Sequence, residues 1–360
     1  MKVILAHNGT KYYRGGSKYL YLLASHLTKQ GIEVEFVLDS TEGEAKLREI
    51  CPEVGCKVIR SSHTILFSLA LANYLKRKEF DILHTSHVFP YFYLRLNNRR
   101  PVVFQPFGSG FFTLHNTNAF HRRVGQHMQK FCGSRAEAVA AEGDWQIGEI
   151  MEIYGIDRSR VFELPVGIDI PLIKSHKVLS REDLGVPGNT FVVLSVNALL
   201  AYKGIDILVK AFNLADLPNS ELIIIGQGPE EAKINRLVRD CGLEDRVVCL
   251  KGVPEDKLYS YYSVSDIYVS LSAEKDMEMG ILEAEVFGLP IISSKSWLVD
   301  GNGYAVTSRN PVGVASVLSS VYQDGNRKTA EQSLALVREY DFSHIAEKAV
   351  AQYERMLDDV

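Results

Sequence analysis

The sequence predicts an α/β protein of two doubly wound domains with a cleft between them. Short β-branched runs recur along the chain, and each is followed by a segment with helical periodicity. Near-continuous apolar strands separated by helices are typical of parallel sheets covered on both faces. Thirteen such runs are too many for one sheet, and 360 residues exceed the roughly 250 that one hydrophobic core supports.

The predicted strands divide into seven in the first half and six in the second. Amphipathic segments at 17–30 and 229–241 are two of the crossover helices that would connect them. The predicted strands are 3–6, 34–38, 57–59, 81–84, 101–104, 138–141, 161–164, 191–194, 221–225, 246–250, 266–269, 290–293 and 304–306.

The domain boundary is predicted where both patterns stop. Two prolines and a glycine interrupt strand and helix periodicity at 165–171. We therefore predict a first domain over 1–168 and a second over 169–341. A strong helical pattern follows at 342–357, with Ser343 as its expected N-cap.

The composition excludes several classes of protein. A chain that is 46% hydrophobic and 23% charged is neither disordered nor collagenous. Five cysteines, an odd number, argue against a disulfide framework, and Cys51 and Cys56 lack a second ligand pair for a metal nearby. No apolar run approaches the ~20 residues that span a bilayer, and the start lacks a cleavable hydrophobic region. We therefore expect a cytoplasmic protein.

The net charge of −4 conceals a difference between the two halves. Residues 1–168 carry 21 Lys and Arg against 16 Asp and Glu, a net +5, whereas residues 169–360 carry 19 against 28, a net −9. The segment 82–136, here called the acid-free segment, contains seven Lys and Arg, five histidines and no Asp or Glu. The average charge therefore does not exclude anionic partners.

Two glycine pairs follow strands, where ligands of open α/β sheets bind. Gly15 and Gly16 stand at the start of a helix, where backbone amides and the helix dipole suit a phosphate. Gly226 and Gly228 follow a buried strand in the second half. They resemble a dinucleotide fingerprint but lack its third glycine, so an ordinary dinucleotide cofactor is disfavoured.

Two other loops of the second half carry charge. Lys203 precedes a helix and places a cation that suits a diphosphate. Five acids fall within 274–285, more than complementarity to a helix dipole requires. Carboxylates in a cleft suit sugar hydroxyls, so we interpret these loops as the two sides of a sugar-phosphate site.

Motifs in both halves resemble glycosyltransferase family 4. In the second half they are Lys203-Gly204, the strand 221–225 with the following Gly-Gln-Gly-Pro, and Glu283-Ala-x3-Gly288-x-Pro290. In the first half they are Gly15-Gly16, the helix–strand unit at 23–34, and the linker Pro165-Val-Gly167-Ile-Asp169. The resemblance covers nearly the whole chain. It implies a retaining, nucleotide-sugar-dependent hexosyltransferase of the GT-B fold, with two Rossmann-like domains and a terminal helix, 342–360, that packs back on the first.

The resemblance also implies roles for individual residues. Glu283 would bind the ribose hydroxyls, and Lys203 would contact the diphosphate of the sugar donor. Gly15 and Gly16 would approach that diphosphate from the other domain, whereas Gly226 and Gly228 would line the base and ribose pocket. We assign the catalytic roles to Lys203 and to Glu278, as the carboxylate on the donor sugar, with Glu274 as second choice.

Three departures from the family pattern bear on activity. Asn197-Ala198 stand where the family usually has Gly-Arg, which removes one phosphate-binding cation. Phe107 stands at the position of the family histidine after the fifth strand. The two glutamates are normally separated by seven residues, but Lys275 occupies the regular position and only four residues separate Glu278 from Glu283.

The predicted mechanism uses no metal and no cofactor. A retaining transfer without a protein nucleophile needs the leaving diphosphate stabilised, which Lys203 and helix N-termini can do. No Asp-x-Asp metal motif stands in a donor-binding position. His84 and His87 lack the further ligands of a zinc site and are, with Phe107, candidates for the acceptor side.

The acid-free segment suggests which molecules the protein binds. Aromatic and cationic residues mix at 91–100 and at Phe111-Phe112. They suit an anionic lipid headgroup at ~1 kcal/mol per cation, although core aromatics and ordinary surface arginines are the alternative. No nucleic-acid module accompanies them. We expect a UDP-, GDP- or ADP-sugar, a lipid-linked or cell-surface glycan acceptor, and peripheral contact with the anionic inner membrane surface through 82–136.

Two other functions stay open. The departures are compatible with a catalytically weakened GT-B protein that serves as a partner or regulatory subunit. A sugar-nucleotide epimerase on the same fold would need its own catalytic acids and histidine, for which the sequence offers no candidates. Stabilisation by nucleotide sugars, followed by transfer or hydrolysis, would separate an enzyme from a partner subunit.

Overall fold

The chain forms two compact units, each with its own sheet and core. The computed structural model describes residues 1–8, 15–61, 63–86, 88–96, 100–107, 119–273, 278–294, 303–305, 309–324 and 330–358. Met1–Ile168 and Tyr340–Val360 form the first unit, and Asp169–Glu339 form the second. The division between Ile168 and Asp169 falls inside the segment 165–171, where the sequence patterns are interrupted.

The first unit is built on a seven-stranded parallel sheet in the order β3-β2-β1-β4-β5-β6-β7. All residues of β4, β5 and β6 are buried, which explains the near-continuous apolar runs of β5 and β6, while β4 also buries His84 and Thr85. The strand order reverses between β1 and β4. The strands are β1 (Lys2–Ala6), β2 (Glu33–Leu38), β3 (Gly55–Val58), β4 (Ile82–Thr85), β5 (Val102–Phe104), β6 (Ala138–Ala141) and β7 (Val161–Glu163).

The second unit repeats this plan with six parallel strands in the order β10-β9-β8-β11-β12-β13. The order reverses between β8 and β11, and such a reversal opens a crevice at the carboxyl ends of the strands. The prediction of two doubly wound α/β domains is confirmed. The strands are β8 (Phe191–Val196), β9 (Ser220–Ile225), β10 (Val247–Leu250), β11 (Ile267–Ser270), β12 (Ile291–Ser293) and β13 (Gly303–Ala305).

Helices cover both sheets. In the first unit α3, α4, α5 and α6 lie side by side, and α1 packs against α2 and α14. In the second unit α8 packs against α12 and α9. The helices are α1 (Gly15–Lys29), α2 (Thr41–Ile50), α3 (Thr64–Leu75), α4 (Tyr91–Leu96), α5 (Ala119–Arg135), α6 (Asp144–Tyr154), α7 (Ile170–Ser175), α8 (Ile205–Ala215), α9 (Glu231–Asp240), α10 (Glu255–Val264), α11 (Met279–Val286), α12 (Pro311–Asp324), α13 (Ala330–Val337) and α14 (Phe342–Asp358).

The last helix belongs to the first unit. Ile168 and Asp341 form a parallel bridge just before α14 begins. Asp341 Oδ1 accepts a hydrogen bond from the backbone amide of Ser343 at 2.9 Å, so Asp341 caps the helix and the prediction of Ser343 as N-cap is wrong. A Cβ on Gly167 would stand 2.1 Å from Ile345 Cδ1, so a glycine is required where the chain passes beneath α14.

Candidate functional site

Lys203 lies in the loop that follows β8. The loop ends in a 3₁₀ turn, Ala201–Lys203, directly before α8. Gly204 joins the turn to the helix at φ +69°, and a Cβ there would stand 2.7 Å from the carbonyl oxygen of Leu271. Because only glycine tolerates both the positive φ and the contact, the pair Lys203-Gly204 brings the lysine against the loop after β11.

Arg309, which the sequence analysis missed, ties the same two loops together. Its Nε donates to the carbonyl oxygen of Leu271 at 2.7 Å, and its Nη2 donates to that of Tyr202 at 3.0 Å. The backbone amide of Ala273 also donates to Tyr202, at 2.8 Å. Arg309 stands in a polar stretch without a motif, so only the fold reveals this role.

Lys203 and Glu278 form a buried ion pair. Lys203 Nζ donates to Glu278 Oε1, and Ser270 Oγ at the end of β11 donates to Glu278 Oε2. The two charged side chains are 10% and 6% exposed. Removing two charges from water costs free energy that their attraction only partly offsets, so a buried pair is weak support for stability. A functional reason for keeping these charges is therefore favoured.

Glu283 is held by a tyrosine from α10. It lies on α11, is 4% exposed, and accepts a hydrogen bond from the Tyr262 hydroxyl at Oε2, 3.0 Å away. The Tyr262 ring stacks on those of Tyr268 and Phe287, with centroids 5.7 and 5.8 Å apart. Burial, and then the charge of Glu283, raises the pKa of Tyr262 well above its usual value, so the hydroxyl keeps its proton.

Gly280 lets the tyrosines approach the start of α11. A Cβ there would stand 2.3 Å from the Tyr268 hydroxyl oxygen and 3.2 Å from that of Tyr262. Burial raises the pKa of Tyr268, and the charges of Glu278 and Glu283 raise it further. The structure therefore gathers both carboxylates around the same tyrosines in spite of their irregular spacing. The second-choice carboxylate, Glu274, lies outside the described residues.

Gly226 and Gly228 pack against the loop after β8. A Cβ on Gly226 would stand 1.8 Å from the carbonyl oxygen of Asn197, and one on Gly228 would stand 2.3 Å from that of Leu199. The Leu199 amide donates to the carbonyl oxygen of Gln227 at 2.9 Å. The close packing of the two loops thus requires glycine at both positions. Their predicted contact with the base and ribose stays a prediction.

The glycines of the first unit begin α1, at the carboxyl end of β1. A Cβ on Gly15 would meet nothing within 4 Å, whereas one on Gly16 would stand 3.6 Å from the ring of Phe107. Phe107 packs edge-on against Tyr19 and His7, with centroids 5.5 and 6.3 Å apart. Among the described residues, the space beside Gly15 is therefore empty, whereas Gly16 borders the ring of Phe107. The sequence analysis missed His7, which follows β1 without a motif.

His84 is a core residue of the first unit. It is fully buried on β4, where Nδ1 accepts from the Tyr353 hydroxyl at 2.6 Å and Nε2 donates to Gln105 Oε1 at 3.0 Å. Burial lowers its pKa to about 4, so the ring is neutral at pH 7. This enclosed position corrects the expectation that His84 faces an acceptor. His87 lies outside the described residues.

The aromatic side chains of the acid-free segment contribute mainly to the core. Phe89 and Tyr93 are buried, and Tyr91 and Phe92 pack against the same hydrophobic cluster. The expected aromatic surface at 91–93 is therefore corrected, while Phe111 and Phe112 lie outside the described residues. The cations remain on the surface; those exposed are Arg95, Arg100, Arg122, Arg123, Lys130 and Arg135.

Neither a metal-binding cluster nor a membrane-spanning helix is found among the described residues. Within those ranges no three His, Cys, Asp or Glu side chains converge as a metal site requires. All five cysteines are free thiols. No helix in the described part of the chain is long and apolar enough to cross a bilayer. Metal independence stays a prediction.

Two family descriptions match consecutive parts of the chain. Residues 13–171 match Glycosyltransferase Family 4, and residues 177–328 match Glycosyl transferases group 1. The first match covers most of the first unit, and the second covers most of the second. Together they cover every strand of the two sheets except β1.

Two curated relatives are D-inositol 3-phosphate glycosyltransferases. The chain is 25% identical over 211 residues to a D-inositol 3-phosphate glycosyltransferase of Xylanimonas cellulosilytica, a match that covers 54% of this chain and 50% of the relative. It is 24% identical over 247 residues to a D-inositol 3-phosphate glycosyltransferase of Catenulispora acidiphila, covering 62% and 57%. The chain thus spans little more than half the length of the relatives it matches.

Solved structures share the fold over the full chain. Sucrose-phosphate synthase of Thermosynechococcus elongatus superposes with a TM-score of 0.82 at 17% identity and covers 100% of both chains. HepE of Anabaena, solved with UDP-glucose, superposes with a TM-score of 0.78 at 18% identity, again over 100% of both. These likenesses show the two-domain GT-B fold. The two family matches, over residues 13–171 and 177–328, are what show that the chain belongs to glycosyltransferase family 4.

Proposed function

We propose that the chain is a retaining hexosyltransferase that moves a sugar from a nucleotide-sugar donor to a lipid-linked or cell-surface glycan. The observation that carries the proposal is the cluster of Lys203, Glu278 and Glu283 near the carboxyl ends of β8 and β11. A buried cation suits a diphosphate, and carboxylates suit sugar hydroxyls. The second unit places the cation and the carboxylates at the same edge of its sheet.

Lys203 would stabilise the diphosphate as it leaves. An ammonium group in a low-dielectric site acts on the negative charge that develops there, and the N-terminus of α8, two residues on, adds its dipole. Glu278 balances the charge of Lys203, so a bound diphosphate would compete with it for the ammonium. Glu278 would then accept a hydrogen bond from a donor-sugar hydroxyl. These steps need neither a metal nor a cofactor.

Glu283 would bind the ribose of the donor, with Gly226 and Gly228 beside the base and Gly15 and Gly16 at the diphosphate. The related HepE structure contains UDP-glucose, which supports a UDP-sugar as the first donor to test. GDP-sugars and ADP-sugars are the other donors to test.

The acceptor is proposed to be anionic. The curated relatives are named as D-inositol 3-phosphate glycosyltransferases, so their named acceptor carries a phosphate. The exposed arginines of the acid-free segment, among them Arg122 and Arg123, suit such a group or the anionic inner membrane surface. Phe107 beside Gly16 is the remaining acceptor-side candidate among the described residues.

Donor binding and turnover test the proposal. A UDP-, GDP- or ADP-sugar at a hundred times its Kd should stabilise the wild type by about 2.7 kcal/mol, measured as a thermal shift. Lys203→Met and Glu283→Gln should lose this shift, whereas Lys210→Met, an exposed lysine on α8, should keep it. Transfer should persist in EDTA and yield the donor's anomeric configuration by NMR. Absence of a shift with every nucleotide sugar would contradict the proposal.

One observation favours a second candidate, a catalytically weakened partner subunit. Ala198 stands at the position of the family arginine and is exposed in the loop after β8. The phosphate-binding cation that the family has at this position is therefore missing. Stabilisation by a nucleotide sugar without hydrolysis or transfer to any glycan acceptor would favour this candidate.

A further inference from the structure

The outer surface of α3 is apolar. Ile65, Leu66 and Leu69 are 45%, 55% and 45% exposed, while Phe67 on the opposite side is fully buried in the core. Leu96 at the end of α4 is 56% exposed. Leu66, Leu69 and Leu96 line a groove of about 350 Å³ that also contains Asn73 and Lys76. An apolar surface gathered in this way marks an interaction site more than scattered single residues do.

Cations follow this surface directly. Lys76, Arg77 and Lys78 come after the last residue of α3, and all three are exposed. Lys78 pairs with Glu35 at 3.2 Å, whereas Lys76 also lines the groove. Residues 54–136 contain twelve Lys and Arg and only two acids, Glu79 and Asp81. This stretch, which contains α3, α4 and α5, therefore has a net charge of +10, although Glu79 is also exposed.

The neighbouring helices extend the same surface. α4 packs between α3 and α5, so the three helices lie side by side on one face of the sheet. None of them contains an acidic residue. α5 exposes Phe120, at 72%, beside Arg122 and Arg123. Apolar side chains flanked by arginine and lysine are typical of surfaces that lie in a bilayer interface.

We propose that the outer face of α3 and α4 docks into the headgroup region of an anionic bilayer. Leu66, Leu69 and Leu96 enter the interface, and Lys76 and Arg77 contact the lipid phosphates. The charge decides this occupant, because three helices without carboxylates, followed by an excess of cations, complement anionic lipid. The inference rests on the membrane contact in the proposed function, but it adds α3, which lies outside 82–136, and it uses Leu96 of α4 instead of the aromatics at 91–93, which pack against the core.

Vesicle sedimentation of the full chain tests the inference. The wild type should bind phosphatidylcholine vesicles that contain phosphatidylglycerol and not pure phosphatidylcholine. Leu66→Ser with Leu69→Ser should weaken binding about tenfold, and Lys76→Glu with Arg77→Glu at least as much, since each lost cation costs about fivefold. Leu214→Ser with Lys210→Glu, an equally exposed pair on α8, is the matched control and should bind as the wild type does.

Three results would overturn the inference. They are equal binding to neutral and anionic vesicles, binding that the α3 variants leave unchanged, and a dimer in sedimentation velocity that Leu66→Ser with Leu69→Ser converts to a monomer. The last would make the surface a contact between two copies of the chain. Vesicle binding is measured without nucleotide and the donor thermal shift without lipid, so either proposal can fail alone.

Discussion

At the scale of single residues, the candidate site depends on side chains that hold the charged groups in place. Glu283 is oriented by the Tyr262 hydroxyl, and Glu278 is fixed between Lys203 and Ser270. Hydrogen bonds to charged groups contribute about 1.5–3 kcal/mol, so each such partner matters for the geometry. The sequence identified the charged residues through their motif but not Tyr262 or Ser270, which stand in ordinary helix and strand patterns.

Tyr262→Phe should weaken donor binding about tenfold, because it removes the hydrogen bond that orients Glu283 while keeping the stacked ring. Isothermal titration with the stabilising nucleotide sugar measures the effect. Tyr259→Phe is the matched control, since Tyr259 stacks on the same Phe287 ring with centroids 6.3 Å apart. Equal affinities of Tyr262→Phe and wild type would show that the hydrogen bond does not serve the donor.

At the scale of elements, glycines determine how closely the loops of the second unit pack. Gly204, Gly226 and Gly228 each stand where a Cβ would clash with backbone atoms of a neighbouring loop. The sequence predicts that Gly226 and Gly228 line a base and ribose pocket, and it marks Gly204 only as part of the motif with Lys203. It could not show that they also join the loops after β8, β9 and β11, because that contact requires the strands to be adjacent.

Gly228→Ala should lower the free energy of unfolding by about 2 kcal/mol, because the new methyl group would overlap the Leu199 carbonyl, 2.3 Å away. Gly148→Ala is a control for which the opposite change, an increase in the free energy of unfolding, is expected. Gly148 lies on α6 with nothing within 4 Å of its Cβ, so alanine should stabilise that helix by up to ~1 kcal/mol. Urea denaturation measures both. A neutral Gly228→Ala would contradict the close approach of the two loops.

At the scale of the whole molecule, the end of the chain completes the first unit. α14 packs against α1, and Tyr353 from its centre donates to His84 on β4. A neutral histidine at the centre of this contact makes the fold sensitive to acid, because a buried imidazole resists protonation.

The first unit should lose stability as the pH falls from 7 to 5. The pKa of His84 is about 4 in the folded protein, against ~6.5 unfolded, so in this range the unfolded chain binds a proton that the folded chain does not. The loss should reach about 2 kcal/mol at pH 5 and level off below pH 4.

Urea unfolding of wild type and His84→Gln between pH 7 and pH 4 measures this loss of stability, since the variant lacks the contribution of His84. His63→Gln, exposed before α3, should retain the wild-type dependence. A His84→Gln profile parallel to wild type would contradict the assignment.

The two doubly wound sheets and the family could be predicted from local sequence patterns alone. Each predicted strand overlaps one strand of the structure, because β-branched runs, helical periodicity and glycine turns act over a few residues. Which side chains meet depends instead on how the strands are ordered and packed. Lys203 and Glu278 are separated by 75 positions, and the chain must place β8 beside β11 before their charges can pair. The burial of His84 likewise depends on a helix at the other end of the chain. Such contacts follow from strand order and packing, which no local pattern encodes.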